Sequence, residues 1–66
     1  MQEFIKLTTL KNGSIFHLNT RKIIYFEKDT DCTYIRCESD NIYFVKETPE
    51  EIRRLIFPRQ QSFGPG

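Results

Sequence analysis

Apolar positions along this chain fall into short clusters that alternate at first and then change period. Phe4-Ile5-Lys6-Leu7-Thr8-Thr9-Leu10 is β-branched and roughly alternating, and it stops at Lys11-Asn12-Gly13. Asn and Gly both tolerate positive φ, so an Asn-Gly pair between two such runs predicts a hairpin. The returning strand, Ser14 to Leu18, puts Phe16 and Leu18 on one face and Ile15 and His17 on the other. After the polar corner Asn19-Thr20-Arg21, the segment Lys22 to Lys28 carries Ile23, Ile24, Tyr25 and Phe26 in succession, as a central strand covered at least partly on both faces would. Turns at Asp29-Thr30-Asp31 and Ser39-Asp40-Asn41 bracket a fourth strand, Cys32 to Glu38, and a fifth follows from Ile42 to Lys46. Even spacing of this kind predicts an antiparallel meander.

The last element switches to helical period. Thr48-Pro49-Glu50-Glu51 supplies an N-cap hydroxyl, a proline at the first helical position and a glutamate at the third, which together make a capping box. Ile52, Leu55 and Ile56 then form one apolar stripe, and Pro58 ends the helix. So short a helix has to dock on the sheet to be stable. The fold expected is mainly β, a five-stranded antiparallel meander or small SH3-like, barrel-like sheet with one C-terminal α-helix. Residues 1–57 form a single domain in this reading, and 58–66 a flexible tail in which Phe63, or Phe57 just before it, could anchor to a groove or a neighbouring subunit.

Composition narrows what such a fold can do. A chain of 66 residues buries a thin core, because a domain near this size hides only about 60% of the surface its unfolded form exposes. A deep catalytic cleft is not expected. Ten Lys/Arg against nine Asp/Glu leave a net charge of +1, which is not the strongly basic footprint of a general nucleic-acid binder. No run approaches the roughly 18 apolar residues of a membrane span, and Met1-Gln2-Glu3 does not open a signal peptide, so a cytoplasmic protein without membrane insertion is expected. Cys32 and Cys37, an odd number of positions apart in an extended segment, face opposite ways and should remain reduced thiols.

Sites for chemistry are scarce. His17 is the lone imidazole, no nucleophile is placed beside it, and no glycine-rich loop precedes the helix, so neither a triad nor a phosphate cradle is signalled. Zinc would need about four closely spaced ligands, and the sequence has no CxxC pair. Asp29 and Asp31 suit a solvated turn better than a calcium loop, in which Tyr34 would occupy the glycine position. The expectation is no enzyme, no metal and no cofactor.

What remains is aromatic. Tyr25, Tyr34 and Tyr43 recur at constant spacing, and if both hairpins close in matching register the three rings sit side by side on one sheet face, with Arg36 on the face of Tyr34. Ile24, Phe26, Ile35, Cys37 and Phe44 would then lie beneath the helix. A face of this kind suits a subunit interface or protein partner, since Tyr and Arg are enriched there. It also suits base stacking on single-stranded nucleic acid or a nucleotide. The near-neutral charge favours the first reading, a homo-oligomer or an adaptor for another protein, with Tyr25, Tyr34, Arg36, Tyr43 and His17 as the candidate binding residues.

Two resemblances add to this. Phe4-Ile5-Lys6-Leu7-Thr8 leading to Asn12-Gly13, Phe16-His17-Leu18-Asn19, Ile24-x-Phe26-Glu27, Asp31-x-Thr33 and Val45-Lys46-Glu47-Thr48-x-Glu50-Glu51-Ile52 resemble the small flagellar FlbD family over nearly the whole chain to about Ile56. That resemblance implies a compact β-rich cytoplasmic protein linked to flagellar motility, with no catalytic residues to carry over. Ile23-Ile24-Tyr25-Phe26-Glu27, Tyr34-Ile35-Arg36 and Tyr43-Phe44-Val45-Lys46-Glu47-Thr48 are also similar to the central strands and helix start of the LytTR DNA-binding domain. That family carries further strands and basic DNA-contacting segments beyond its helix, where this sequence has Arg59 to Gly66.

Overall fold

A computed structural model describes residues 1–58; the expectations for the tail and for Phe63 fall outside them. Five strands run in chain order, β1 (Phe4–Thr8), β2 (Ile15–Asn19), β3 (Ile23–Lys28), β4 (Thr33–Cys37) and β5 (Ile42–Val45), and α1 (Pro49–Ile56) closes the sequence of elements. β1 and β2 pair as one antiparallel hairpin, and β3-β4-β5 pair as a three-stranded antiparallel sheet. The two sheets join where Thr9 bridges Val45, flanked by backbone bonds from Leu10 N–H to the Phe44 carbonyl and from Lys46 N–H to the Thr8 carbonyl. β1 therefore continues into β5, and the strands curl in the spatial order β2, β1, β5, β4, β3.

The Asn-Gly signal has the expected cause. Gly13 takes φ +73°, and the Asn12 side-chain oxygen accepts the Ser14 N–H at 3.0 Å and the Thr9 hydroxyl at 2.6 Å. The helix start is equally legible: Thr48 Oγ1 accepts the Glu51 N–H at 3.1 Å, and Glu51 Oε1 accepts the Thr48 N–H at 2.9 Å. Ile52 and Ile56 face inward from α1, while Leu55 sits at the margin of the stripe. With Ile5, Leu7, Leu18, Ile35, Cys37 and Val45 they make the buried core, against which Phe16, Ile23, Phe26 and Tyr43 pack. Gln2 N–H bonds the Ile56 carbonyl at 2.8 Å, so the residues leading into β1 and the last helical turn hold each other.

β3 departs from the expectation of a central strand. It is the outer strand of its sheet, and β4 is the central one. The uninterrupted run Ile23 to Phe26 arises from a register shift between Ile23 and Tyr25 instead of from cover on two faces. Ile23 opposite Cys37 and Phe26 opposite Ile35 both reach the core, while Ile24, at the irregularity, is 59% exposed.

Glu47 clasps the seam between the sheets. Its two carboxylate oxygens accept the Thr8 N–H at 2.9 Å and the Thr8 hydroxyl at 2.8 Å, and its carbonyl accepts the buried Thr33 hydroxyl. Both cysteines are free thiols, Cys32 half-buried at the β3–β4 turn and Cys37 buried. Among the described residues no helix is long and apolar enough to cross a membrane, and no cluster of three or more His, Cys, Asp or Glu could hold a metal ion.

Candidate functional site

Alternation along β3, β4 and β5 turns one set of side chains away from the core, and the register fixes which they are. Tyr25 lies opposite Arg36, which lies opposite Ile42; in the next row Glu27 lies opposite Tyr34, which lies opposite Phe44. Tyr25 and Tyr34 are thus diagonal neighbours, with ring centroids 6.0 Å apart and planes 23° from parallel. Phe44 meets the other side of Tyr34 edge-on at 5.6 Å. Aromatic pairs in these geometries contribute about 0.5–1.5 kcal/mol each beyond their burial, so the three rings form a fixed platform. It stays open to solvent, with Tyr25 and Phe44 each 44% exposed and Ile42 43%.

The platform carries charge at its centre. Arg36 Nη2 donates to Asp40 Oδ1 at 3.0 Å, whereas its Nε is buried with no partner among the described residues. The Tyr34 hydroxyl beside the guanidinium raises its pKa, partial burial opposes this, and the Asp40 carboxylate adds to the rise. The Tyr25 phenol is likewise held above its ordinary 10.0, first by the neighbouring Tyr34 hydroxyl and then by lost hydration. Both groups keep their protons at neutral pH, leaving one cation among neutral rings with Glu27 at the edge. Beside β5 the face runs on into an open groove of about 400 Å³ lined by Thr9, Leu10, Lys11, Ile42, Tyr43 and Phe44 among others.

Three of the expected binding residues, Tyr25, Tyr34 and Arg36, are brought together here. Tyr43 is not, and the expected tyrosine stripe is corrected at that position. Tyr43 lies opposite Ile35, on the core side, where its ring packs on Phe16 at 5.2 Å. The cause is the connection from Cys37 to Asn41, which puts an odd number of residues between the partners Arg36 and Ile42. A tight turn at Ser39-Asp40-Asn41 would have shifted β5 by one residue; instead Ser39 and Asp40 take φ of 64° and 61° and lengthen the loop. Every side chain of β5 therefore changes face. Phe44, expected beneath the helix, replaces Tyr43 on the platform, and Ile24 is likewise outside the core. His17 stands on the other sheet, exposed and opposite Lys6.

Phe44, Ile42 and Leu10 were not legible as site residues, whereas Glu27 shares the face of Tyr25 by strand parity, as expected. Ile42-Tyr43-Phe44-Val45 is apolar or aromatic at every position, so either phase satisfied the pattern. Only the pair of left-handed residues in the loop decides between them.

The family model FlbD, described as flagellar and swarming motility proteins, matches residues 4–64. No curated protein and no solved structure matches the chain.

Proposed function

Because this chain belongs to the FlbD family of flagellar and swarming motility proteins, we propose that it serves motility as a small, non-catalytic cytoplasmic binding module whose working surface is the Tyr25–Tyr34–Phe44 face. One observation carries this reading: Tyr34 packs against Tyr25 on one side and Phe44 on the other, and together with Ile42 these side chains form one contiguous apolar face left partly open to solvent. Exposed aromatic area of this kind is costly to leave bare and marks a surface that another macromolecule covers. Tyr, Phe and Arg are the residue types that anchor such contacts, and Glu27 and Asp40 give the surface a polar margin.

Complementation tests it. In a motile host deleted for this chain, Tyr34→Ala and Phe44→Ser, expressed at wild-type level and with unchanged melting, should fail to restore swarming. Ile15→Ser, an exposed position on the β1–β2 sheet, should restore it. Full swarming with both platform variants would overturn the proposal.

A second reading draws on the Tyr25–Tyr34 stack beside Arg36, an arrangement that also suits nucleobases, each stacked base being worth about 1–3 kcal/mol. Saturable binding of a short oligonucleotide or a nucleotide, lost in Tyr34→Ala and in Arg36→Ala, would favour it. A net charge of +1 gives phosphate little to bind, which is why the protein-binding reading comes first.

A further inference from the structure

The platform has two rows of three positions, and their chemistry is complementary to itself. Row one is Tyr25, Arg36, Ile42; row two is Glu27, Tyr34, Phe44. Two copies packed face to face with their strands aligned can be related by a two-fold axis along the strands or by one across them. An axis along the strands sets Arg36 against Arg36 of the second copy, which like-charge repulsion forbids. An axis across the strands exchanges the rows. Each Arg36 then lies over the second copy's Tyr34, each Ile42 over its Phe44, and each Tyr25 hydroxyl over its Glu27 carboxylate. The pairings are a cation on a ring, apolar on aromatic, and donor on acceptor, and the symmetry supplies each twice.

We infer that the occupant of this face is a second copy of the chain, docked by that row exchange into an isologous dimer; the inference rests on the platform being the working surface. Charge carries the choice. Glu27 has no cation partner among the described residues, although Arg36 is its diagonal neighbour; the guanidinium turns to Asp40 instead. In the dimer Arg36 stands between the second copy's Tyr34 and Glu27, so the unmatched carboxylate gains its counter-charge across the interface. Six side chains a copy are well below the roughly 20–30 residues a side of a standard interface, so a weak association, micromolar or weaker, is expected.

Charge reversal tests it by sedimentation from about 1 µM to about 1 mM. In Arg36→Glu two carboxylates face each other, and in Glu27→Arg two guanidiniums do, so each variant alone should associate at least about tenfold more weakly than wild type. An equimolar mixture of the two restores both opposite-charge pairs, as does Glu27→Arg/Arg36→Glu in one chain, and both should associate within about threefold of wild type. Glu27 is exposed and makes no side-chain hydrogen bond among the described residues, so its variant folds and keeps the test decisive. Wild-type protein that stays monomeric at about 1 mM overturns the inference, as does a mixture no stronger than its components. If the protein is monomeric yet Tyr34→Ala abolishes swarming, the motility surface stands and its occupant is a different protein.

Discussion

Removing the Glu47 clasp should loosen the seam that makes two small sheets into one fold. The carboxylate accepts two bonds from Thr8, at 2.9 Å to the N–H and 2.8 Å to the hydroxyl, immediately beside the single bridge from Thr9 to Val45. A hydrogen bond to a charged group contributes about 1.5–3 kcal/mol, and because this pair is only part-buried about 1–2 kcal/mol each applies, giving about 2–4 kcal/mol for both. A 66-residue domain has about 3–10 kcal/mol in total. Glu47→Ala should therefore lower Tm by about 8–32 °C, since each kcal/mol moves a domain of this size by about 4–8 °C. Glu47→Gln keeps one acceptor and should cost about half as much. Urea unfolding followed by circular dichroism, on Glu47→Ala, Thr8→Val and the double variant, isolates the hydroxyl bond as a coupling energy of about 1 kcal/mol. A coupling below about 0.3 kcal/mol, with Glu47→Ala within about 0.5 kcal/mol of wild type, would refute the clasp.

Two further outcomes follow from the loop and the thiols. Ser39 pays for its φ of 64° with a side chain that disfavours it, so Ser39→Gly should stabilise the fold by about 0.5–1 kcal/mol, read as a higher urea midpoint with unchanged slope. A lower midpoint would show that Ser39 is not left-handed in solution. Burial, and then the adjacent Glu38 carboxylate, push the Cys37 thiol upward in pKa, while Cys32 is half-buried at a turn. With a thiol-specific chromogenic reagent in native buffer, Cys32 should react at least about tenfold faster than Cys37, and unfolding should abolish the difference. Equal native rates would contradict the packing around Cys37.

Local chemistry was readable in the sequence wherever neighbours in the chain satisfy one another. The Asn12-Gly13 turn and the Thr48/Glu51 capping box are such cases, because their partners are at most a few residues away. Ile52 and Ile56 were readable because one element's period names its buried face. The clasp was not, since Thr8 and Glu47 are joined only after β1 has met β5. The platform was legible by half. Tyr34 and Arg36 share a face by strand parity alone, but the place of β5 against them depends on two backbone angles in a loop whose residues allow more than one turn.

That loop also has a consequence for how the surface can change over generations. Loss of one codon between Cys37 and Asn41 would slide β5 by a single position, exchanging Tyr43 with Phe44. Because both are aromatic, the slipped strand would still fill the gap beside Phe16 and still present a ring next to Tyr34. The outward ring would now bear a hydroxyl. A frame-preserving deletion would thus replace an oily contact surface with a hydrogen-bonding one at the expense of turning Val45 out of the core, so that partner choice and stability would change together.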